Sequence, residues 1–345
     1  MSLFHVERSL STNALARRVL LVFDDSAIEE HSYPRNHAMH HHHMVAHILA
    51  LVIVYKAAAF EKDHHWGYED ENGPHTWKGV CQTGARQSPV DIRASEVDFD
   101  PLPRIHFINY AHSGPITIEN NGHSVMASGF DKWGDKRPYI YGGGLNHKYE
   151  LVQYHIHWSQ YNNSGSEHTV ASLHYPAEIH FVHMKKGFKA GDKLEGDSIA
   201  VVGVFVALGN DASPLSAIEP SLRNVFEPGA TTQLQGYQLM PLLPDNLETF
   251  YRYDGSLTTP TCDEAVVWTI MAEPTSITPL QLTKLRQIRL SSGKTGQNYR
   301  PTQPLNGRRI RFRPTMFSYD RNAASSLFSA MSFAALVLFA LLSKP

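Results

Sequence analysis

The sequence predicts one β-rich α+β domain with short surface helices. Strand-like segments are short and recur throughout residues 60–318, where proline and glycine are frequent. Helical periodicity is scarce over the same range, and no internal repeat or low-complexity break divides it. Hydrophobic segments on both sides of this range predict an exported protein.

Length and composition support this assignment. The chain has 345 residues, which is enough for one large domain or two ordinary ones. Hydrophobic residues make up 42% and charged residues 19%, as is typical of a globular protein with a sizeable core. The formal net charge is −2 and there is no basic patch, so no nucleic-acid partner is expected.

The N-terminal region precedes the domain. Residues 1–43 show no sustained apolar period and end in a run of histidines. Residues 45–55 form a short apolar run that small residues follow, as in a secretory signal peptide with its cleavage site. We hypothesise that translation starts at Met44. Residues 1–43 are then an upstream extension, disordered or absent from the mature protein, and residues 44–59 are the signal peptide.

Several segments of the domain are predicted to be strands from their β-branched and aromatic residues. The longest, Ile199–Leu208, is an almost unbroken apolar run, which suits a strand buried on both faces. Pro279–Leu290 has leucine and isoleucine at loosely helical spacing and is the best candidate for a helix. The other predicted strands are Ile116–Ile118, Tyr139–Tyr141, Leu151–Trp158, Ile179–Val182 and Ala265–Met271.

The segment Leu151–Trp158 carries two histidines in an alternating pattern. The alternation places Leu151, Gln153, His155 and His157 on one face of a strand and the residues between them on the other. Because each residue of a strand rises about 3.3 Å, the two imidazoles lie about 6–7 Å apart along the backbone and can converge on one metal ion. From this segment alone, two polar residues on a strand are the simpler explanation.

A third histidine changes this assessment. Glu178 and His180 are also two residues apart and share one face of a predicted strand. Catalytic zinc takes three protein ligands and leaves a fourth position for water. A ligand histidine donates its second N–H to a carboxylate, amide or carbonyl, and Gln153 and Glu178 are suited to accept it. Further residues with useful chemistry are Glu167 and the hydroxyl pair Thr258 and Thr259.

Several motifs, in order and in register, resemble those of the α-class carbonic anhydrases. They are His155-Ile156-His157-Trp158, Gly165-Ser166-Glu167-His168, Ala177-Glu178-Ile179-His180, Ser256-Leu257-Thr258-Thr259 and Asn298-Tyr299-Arg300-Pro301. The resemblance covers residues 64–315 and implies one catalytic domain at 60–318, built around a large, mostly antiparallel twisted sheet. The cysteines and the hydrophobic tail are most similar to the extracellular GPI-anchored branch, the type of isoforms four and fifteen.

The resemblance implies a site with one catalytic zinc ion. His155, His157 and His180 would bind Zn²⁺, whose bound hydroxide would attack carbon dioxide to give bicarbonate and a proton. Thr258 would accept a hydrogen bond from that hydroxide and donate its own proton to Glu167. The residues implied to orient the three ligands are Gln153, Glu178 and, through its backbone carbonyl, Asn298.

The resemblance also implies a substrate pocket and a proton path. Thr259 would contact bicarbonate, and sulfonamides and anions would inhibit the enzyme. His123 would be the proton shuttle, with Tyr68 and Asn121 ordering the connecting waters, whereas a solvated surface histidine is the alternative. Met126 occupies a rim position that is usually polar in the family. The residues implied to line an apolar carbon dioxide pocket are Val182, Val201, Leu257, Val266 and Trp268.

The C-terminal end carries a second hydrophobic segment. Residues 327–342 are apolar, three residues follow them, and small residues precede them at 322–326. This order matches a GPI-attachment signal over residues 319–345, with Asn322 as the candidate attachment residue and the lipid anchor as the link to the membrane. A single-pass membrane anchor and a buried C-terminal helix are the alternatives.

Export bears on the two cysteines and on glycosylation. In a cytosolic protein, Cys81 and Cys262 would be buried thiols, and their sequence spacing does not decide their pairing. With an export signal, and in the positions that the resemblance gives them, a Cys81–Cys262 disulfide is expected. Asn162 begins a sequon in a polar loop, so it is the expected site of N-glycosylation.

Two classes of function follow from these observations. The first is a zinc lyase that reversibly hydrates carbon dioxide at the outer face of the plasma membrane. The alternative is a catalytically weak, carbonic-anhydrase-like binding module on the cell surface. All three histidines are present together with Thr258 and Glu167, and this intact set favours the enzyme.

Overall fold

The computed structural model describes residues 66–189 and 191–315. Within these residues, no helix has the length and hydrophobicity needed to cross a membrane. Several predicted features lie outside the described residues: the extension at 1–43, the signal peptide at 44–59, and the anchor signal at 319–345 with Asn322.

Most of the regular structure is β-sheet, and several of its connections are long segments that carry the helices. The strands are β1 (Asp91–Ile92), β2 (Val97–Phe99), β3 (Ile105–Ile108), β4 (Gly114–Asn120), β5 (Val125–Ser128), β6 (Tyr139–Gly142), β7 (Tyr149–Trp158), β8 (Thr169–Val170), β9 (Ala177–Lys185), β10 (Ile199–Leu208), β11 (Thr231–Tyr237), β12 (Phe250–Gly255), β13 (Val266–Met271), β14 (Thr275–Ile277) and β15 (Ile310–Arg313). All six predicted strands are present, most of them a few residues longer than predicted.

The helices are short, as predicted. They are α1 (Val80–Thr83), α2 (Ser213–Ser216) and α3 (Pro279–Leu285), with 3-10 segments at Ala94–Glu96, Phe130–Lys136, Glu219–Val225 and Met240–Leu242. A capping box formed by Thr278 and Gln281 starts α3. The helix was predicted to reach Leu290 but ends at Leu285, because the chain then turns and Arg289 forms a β-bridge with Thr295.

One large mixed sheet contains nearly all the strands. Its order is β11-β4-β5-β7-β9-β10-β13-β12-β15-β2, with β14 beside β10 and with β3 and β6 joined to β7. Most of these pairs are antiparallel; β10 pairs in parallel with β13 and β14, and β15 with β2. The fold class predicted from the sequence is confirmed.

The strand β10 lies at the centre of this sheet and is buried on both faces. Ala200, Val202 and Val204 belong to the larger core cluster on one face. Val201 and Phe205 belong to a second cluster on the other face. The unbroken apolar sequence of β10 is therefore explained by its position between two hydrophobic cores, one against each face.

The alternation of β7 is interrupted once. Leu151 pairs with His183 and Gln153 pairs with Val182, so Val152 is an extra residue in β7. Leu151 consequently lies in the larger cluster, whereas Val152 packs against the second one. The prediction that Leu151 shares a face with Gln153 is wrong, because hydrophobic alternation does not reveal a β-bulge.

A disulfide joins the start of the described chain to the loop that follows β12. Cys81 in α1 is bonded to Cys262, 181 residues further along. The side chain of Gln87 donates to the Cys262 carbonyl at 3.1 Å, and Arg300 donates to the Cys81 carbonyl at 2.7 Å. Both half-cystines are buried, so the link fixes the loop from inside.

Candidate metal centre

Three histidines converge from two neighbouring strands. His155 and His157 lie on β7, and His180 lies directly opposite His155 on β9. One ring nitrogen from each histidine lies within 4.8 Å of the others. His157 and His180 are buried, whereas His155 is partly exposed. This is the three-ligand cluster that the sequence predicts.

Hydrogen bonds fix which nitrogen of each ring faces the others. His155 Nδ1 lies 2.9 Å from Gln153 Oε1, and His157 Nδ1 lies 2.6 Å from the Asn298 carbonyl. His180 instead uses Nε2, which lies 2.7 Å from Glu178 Oε1. Because these oxygens accept, each of these nitrogens carries the proton. The other nitrogens then offer lone pairs: Nε2 of His155, Nε2 of His157 and Nδ1 of His180.

The electrostatics of the rings fit a zinc ligand set. His157 Nε2 is buried and has no hydrogen-bond partner among the described residues. Burial lowers the pKa of His157, and burial with the neighbouring rings lowers the pKa of His155 well below its ordinary value. Both imidazoles are therefore neutral near pH 7, and neutral imidazole is the form that binds metal.

Glu178 is the most heavily hydrogen-bonded group of the site. Oε2 accepts from the backbone N–H groups of Glu167 and His168, at 2.9 and 2.8 Å. Oε1 accepts from His168 Nδ1 and His180 Nε2, both at 2.7 Å. Burial alone would raise the pKa of Glu178, but interactions with these two histidines hold it well below its ordinary value.

His168, which the sequence does not assign to the metal, binds the other side of Glu178. Its Nε2 lies 2.6 Å from the hydroxyl of Tyr253, which in turn contacts Ser88 at 2.9 Å. His168, Glu178 and His180 could form a second metal cluster by proximity. Both ring nitrogens of His168 are already hydrogen-bonded, however, so this cluster fits a metal less well than the three histidines do.

Glu167 lies beside the histidines, fully buried. Its Oε1 accepts from the backbone N–H of Arg300 at 2.8 Å. Its Oε2 lies 3.5 Å from His157 Nε2 and 3.8 Å from His180 Nδ1. Oε2 has no hydrogen-bond partner in the described part of the chain, so the predicted bond from the Thr258 hydroxyl is not formed in the structure.

The loop that carries Thr258 is held by its neighbours. Ser256 accepts from the backbone N–H of Ser88 at 3.0 Å, and the indole N–H of Trp268 donates to the Ser256 carbonyl at 3.0 Å. Thr258 is buried, and Thr259 is partly exposed. The five residues predicted to form the apolar pocket lie in or against the second core cluster: Val182, Val201, Leu257, Val266 and Trp268.

Two residues of the predicted proton path, Asn121 and His123, lie in the loop between β4 and β5, whereas Tyr68 precedes α1. The imidazole of His123 stacks on Trp66, with ring centroids 3.7 Å apart. The Asn121 side-chain oxygen accepts from the backbone N–H groups of His123 and Ser124, so it shapes the loop itself. Burial, followed by the charge of Glu167, raises the pKa of Tyr68 well above its ordinary value, which keeps its phenol protonated.

Asn298 contacts both parts of the site. Its carbonyl binds His157, while its side-chain oxygen accepts from the backbone N–H of Trp158 at 2.6 Å. Its side-chain amide donates to the carbonyls of His123 and Ile156, at 3.0 and 2.9 Å. The sequence predicted a role only for the Asn298 carbonyl. The role of its side-chain amide was missed, because a contact between distant segments leaves no periodic pattern in the sequence.

Arg300 is a second residue that sequence reasoning missed. Its guanidinium donates to the Gln87 side chain at 2.9 Å and to the Ser88 carbonyl at 2.8 Å. Together with its bond to the Cys81 carbonyl, these contacts join the C-terminal segment to the disulfide region. The nearest sequence signal was its place in the Asn298-Tyr299-Arg300-Pro301 motif.

Comparisons with known proteins agree with this geometry. The model of the eukaryotic-type carbonic anhydrase family matches residues 72–314. The chain is 46% identical over 295 residues to the Caenorhabditis elegans protein named "Putative carbonic anhydrase 5", covering 84% of this chain and 94% of the relative. It is 44% identical over 250 residues to "Putative carbonic anhydrase 3" of the same species, covering 71% and 96%. Rat carbonic anhydrase 4 is 34% identical over 282 residues, covering 76% and 89%.

Proposed function

The chain belongs to the eukaryotic-type carbonic anhydrase family and is a lyase that hydrates carbon dioxide, and we propose that it acts at the outer face of the plasma membrane with one zinc ion. One observation carries the proposal. Three ring nitrogens converge within 4.8 Å, and the other nitrogen of each ring is committed to an acceptor. His155, His157 and His180 would hold the ion.

Zinc bound there supplies a water molecule of lowered pKa, an effect for which carbonic anhydrases are themselves the reference case. The residues of this chain then supply orientation and exclusion. Gln153, Asn298 and Glu178 keep the protons of the three rings on the nitrogens that face away from the ion. The apolar cluster around Trp268 gives carbon dioxide a pocket without competing hydrogen bonds.

Glu167 and Thr258 would control the direction of one hydrogen bond. Oε1 of Glu167 is held by the Arg300 N–H, whereas Oε2 lies toward the histidines without a partner among the described residues. Oε2 would accept the hydroxyl proton of Thr258 when the two groups meet. Thr258 Oγ1 would then remain an acceptor toward the reacting water, and Thr259 would contact bicarbonate.

His123 would carry the proton away from the site. Histidine suits this role, because the pKa of an unperturbed imidazole is about 6.5 and such a ring takes and releases a proton near pH 7. The loop that carries it is fixed by Asn121 and by the side-chain amide of Asn298. The stack on Trp66 gives the ring a defined position at the partly exposed end of the path.

The decisive experiment measures zinc content and carbon dioxide hydration of the purified domain. His157→Ala should lose both, because its Nε2 is a buried lone pair at the centre of the cluster. His106→Ala is the matched control, since His106 is exposed and lies on β3, away from the site. Full zinc-dependent activity in His157→Ala would refute the proposed ligand set. An intact, zinc-loaded protein without activity would favour the binding-module alternative.

Export and anchoring are supported by separate features. The described chain carries a disulfide, and Asn162 of the sequon is exposed in its loop. The hydrophobic ends at 44–59 and 319–345 supply the signal and the GPI attachment, with Asn322 as the proposed attachment residue. Treatment of expressing cells with a phosphatidylinositol-specific phospholipase should release the activity. Activity that stays on treated cells would favour a membrane span.

A further inference from the structure

A cleft lined in part by β12 contains an unusual concentration of arginines. Its volume is about 520 Å³, within the range of small-molecule sites. Four arginines and two aspartates line it, and none of the three ligand histidines does, although the lining residue Tyr253 contacts His168 through its hydroxyl. The charged residues that line the cleft are Arg86, Arg252, Arg309, Arg311, Asp197 and Asp254.

Arg252 is the buried member of this group. Its side chain is only 2% exposed, and its Nη2 donates to Thr269 Oγ1 at 2.8 Å. Its Nε and Nη1 are buried without hydrogen-bond partners among the described residues. No carboxylate in the described part of the chain lies within ion-pair distance of it. Buried guanidinium donors are ordinarily satisfied, so these two nitrogens indicate a missing acceptor.

A second guanidinium approaches the same point. Arg311 is the cross-strand partner of Arg252 on β15, and like charges in that position repel. Both arginines approach Gly144, whose position has room for no side chain. A Cβ atom there would lie 3.3 Å from Arg311 Nη2 and 3.8 Å from Arg252 Nη1. Burial and the charge of Arg311 lower the pKa of Arg252 to about 9.

The remaining charges of the cleft have other partners. Arg309 is paired with Asp98 at 2.6 Å, and Asp197 with Lys185 at 3.2 Å. Arg86 lies 3.8 Å from Glu264, and Arg311 itself lies 3.6 Å from Asp100 at the rim. Asp254 is exposed and lies outside ion-pair distance of Arg252, although its charge favours the Arg252 cation. Arg252 is therefore the lining arginine without a carboxylate within ion-pair distance among the described residues, and Arg311 adds a second positive charge beside it.

We propose that this cleft binds a phosphate or sulfate group, bridged between Arg252 and Arg311 beside Gly144. A tetrahedral oxyanion supplies acceptor oxygens for the two unpartnered nitrogens of Arg252 and a negative charge between the two guanidiniums. The cleft is larger than one such ion, so the group can arrive free or as the end of a small ester. The site is independent of the metal centre and of the reaction proposed for it.

The test is titration of the full, zinc-loaded protein with inorganic phosphate, sulfate and phenyl phosphate. An aromatic sulfonamide is added to keep these anions off the zinc, and sodium chloride holds the ionic strength constant. Calorimetric affinity and the rise in melting temperature are recorded for wild type, Arg252→Gln and Arg311→Gln. Arg223→Gln is the matched control, because Arg223 is exposed and lies outside the cleft.

Wild type and Arg223→Gln should bind phosphate with equal affinity, and Arg311→Gln should bind it at least about ten-fold more weakly. Arg311 is 44% exposed, so this variant decides the matter even where Arg252→Gln does not fold. Tighter binding of phenyl phosphate than of phosphate would identify an ester as the ligand, and equal binding would identify the free ion. Unchanged affinity in Arg311→Gln, or an effect that chloride reproduces, would overturn the proposal.

Discussion

Replacing Glu178 by glutamine tests how the protein controls the tautomer of His180. This carboxylate accepts four hydrogen bonds: two from backbone N–H groups, one from a ring nitrogen of His168 and one from a ring nitrogen of His180. Glutamine keeps the shape of the side chain but offers one acceptor oxygen and one NH₂ group. Two of the four donors must therefore face another donor.

The orientation of the glutamine amide depends on which of the four donors can lose its proton. Backbone N–H groups cannot give up their protons, whereas an imidazole can exchange one tautomer for the other. The NH₂ group should therefore face the rings, so that His180 accepts at Nε2 and carries its proton on Nδ1. Nδ1 is the nitrogen that would bind zinc, so the lone pair of the third ligand is lost.

The expected loss of zinc affinity is about 10-fold to 100-fold, or about 1.4–2.8 kcal/mol, a range for which carbonic anhydrases are among the reference cases. If the tautomers do not change, each donor without an acceptor costs about 1–3 kcal/mol of unfolding free energy instead. The two costs are alternatives, because the same two ring nitrogens cannot both accept and donate.

Zinc affinity is measured by competition with a chromogenic chelator, and unfolding of the metal-free protein is measured in urea. Glu150→Gln is the matched control, since Glu150 lies on β7 but forms partly exposed ion pairs with Arg137 and Lys186. Glu178→Gln with zinc affinity within two-fold of wild type and unchanged stability would refute the tautomer argument. Equal losses in both variants would show that any charge removal has this effect.

Three further predictions concern other parts of the molecule. Replacing Cys81 and Cys262 by serine should lower the unfolding free energy, measured in urea, by up to about 5 kcal/mol. The reason is that the disulfide closes a loop between cysteines 181 residues apart and so restricts the unfolded chain. Unchanged stability would contradict this prediction. Burial lowers the pKa of His183 to about 3, so below pH 6.5 the unfolded chain takes up a proton that the folded chain does not. Stability should therefore fall by about 1.4 kcal/mol per pH unit from this group as the pH decreases from 6.5 toward 3, and urea unfolding of His183→Gln at several pH values should show a shallower slope. An identical slope would exclude His183 as the source. His123→Ala should lower carbon dioxide turnover, and imidazole buffer should restore it; turnover that is unchanged without added buffer would remove His123 from the proton path.

The sequence predicts the strands that carry the site because their signal is local. In β7 and β9, ligand and orienting residues alternate with buried apolar residues, and this pattern survives folding from Gln153 onward. The β-bulge at Val152 is not predicted, since one extra residue changes the pairing without changing the composition of the strand. Its effect is visible only in the cluster that Leu151 joins.

Contacts between distant segments were also beyond sequence reasoning. Arg300 binds Gln87, 213 residues away, and neither residue shows periodicity that would indicate the other. Arg252 would be assigned to the solvent side of an ordinary strand, because arginine is rarely buried. It is buried because the glycines at 143 and 144 approach its guanidinium so closely that a Cβ atom at Gly143 would lie 3.3 Å from Nη2.

Asn298 links the metal centre to the proposed proton path. The same residue aligns the ring of His157 and supports the backbone from which His123 projects. We therefore expect a displacement of Asn298 to affect both histidines. Substitutions that disturb Asn298 should therefore change both zinc retention and proton release. Substitutions at the solvent end of the proton path should change proton release alone.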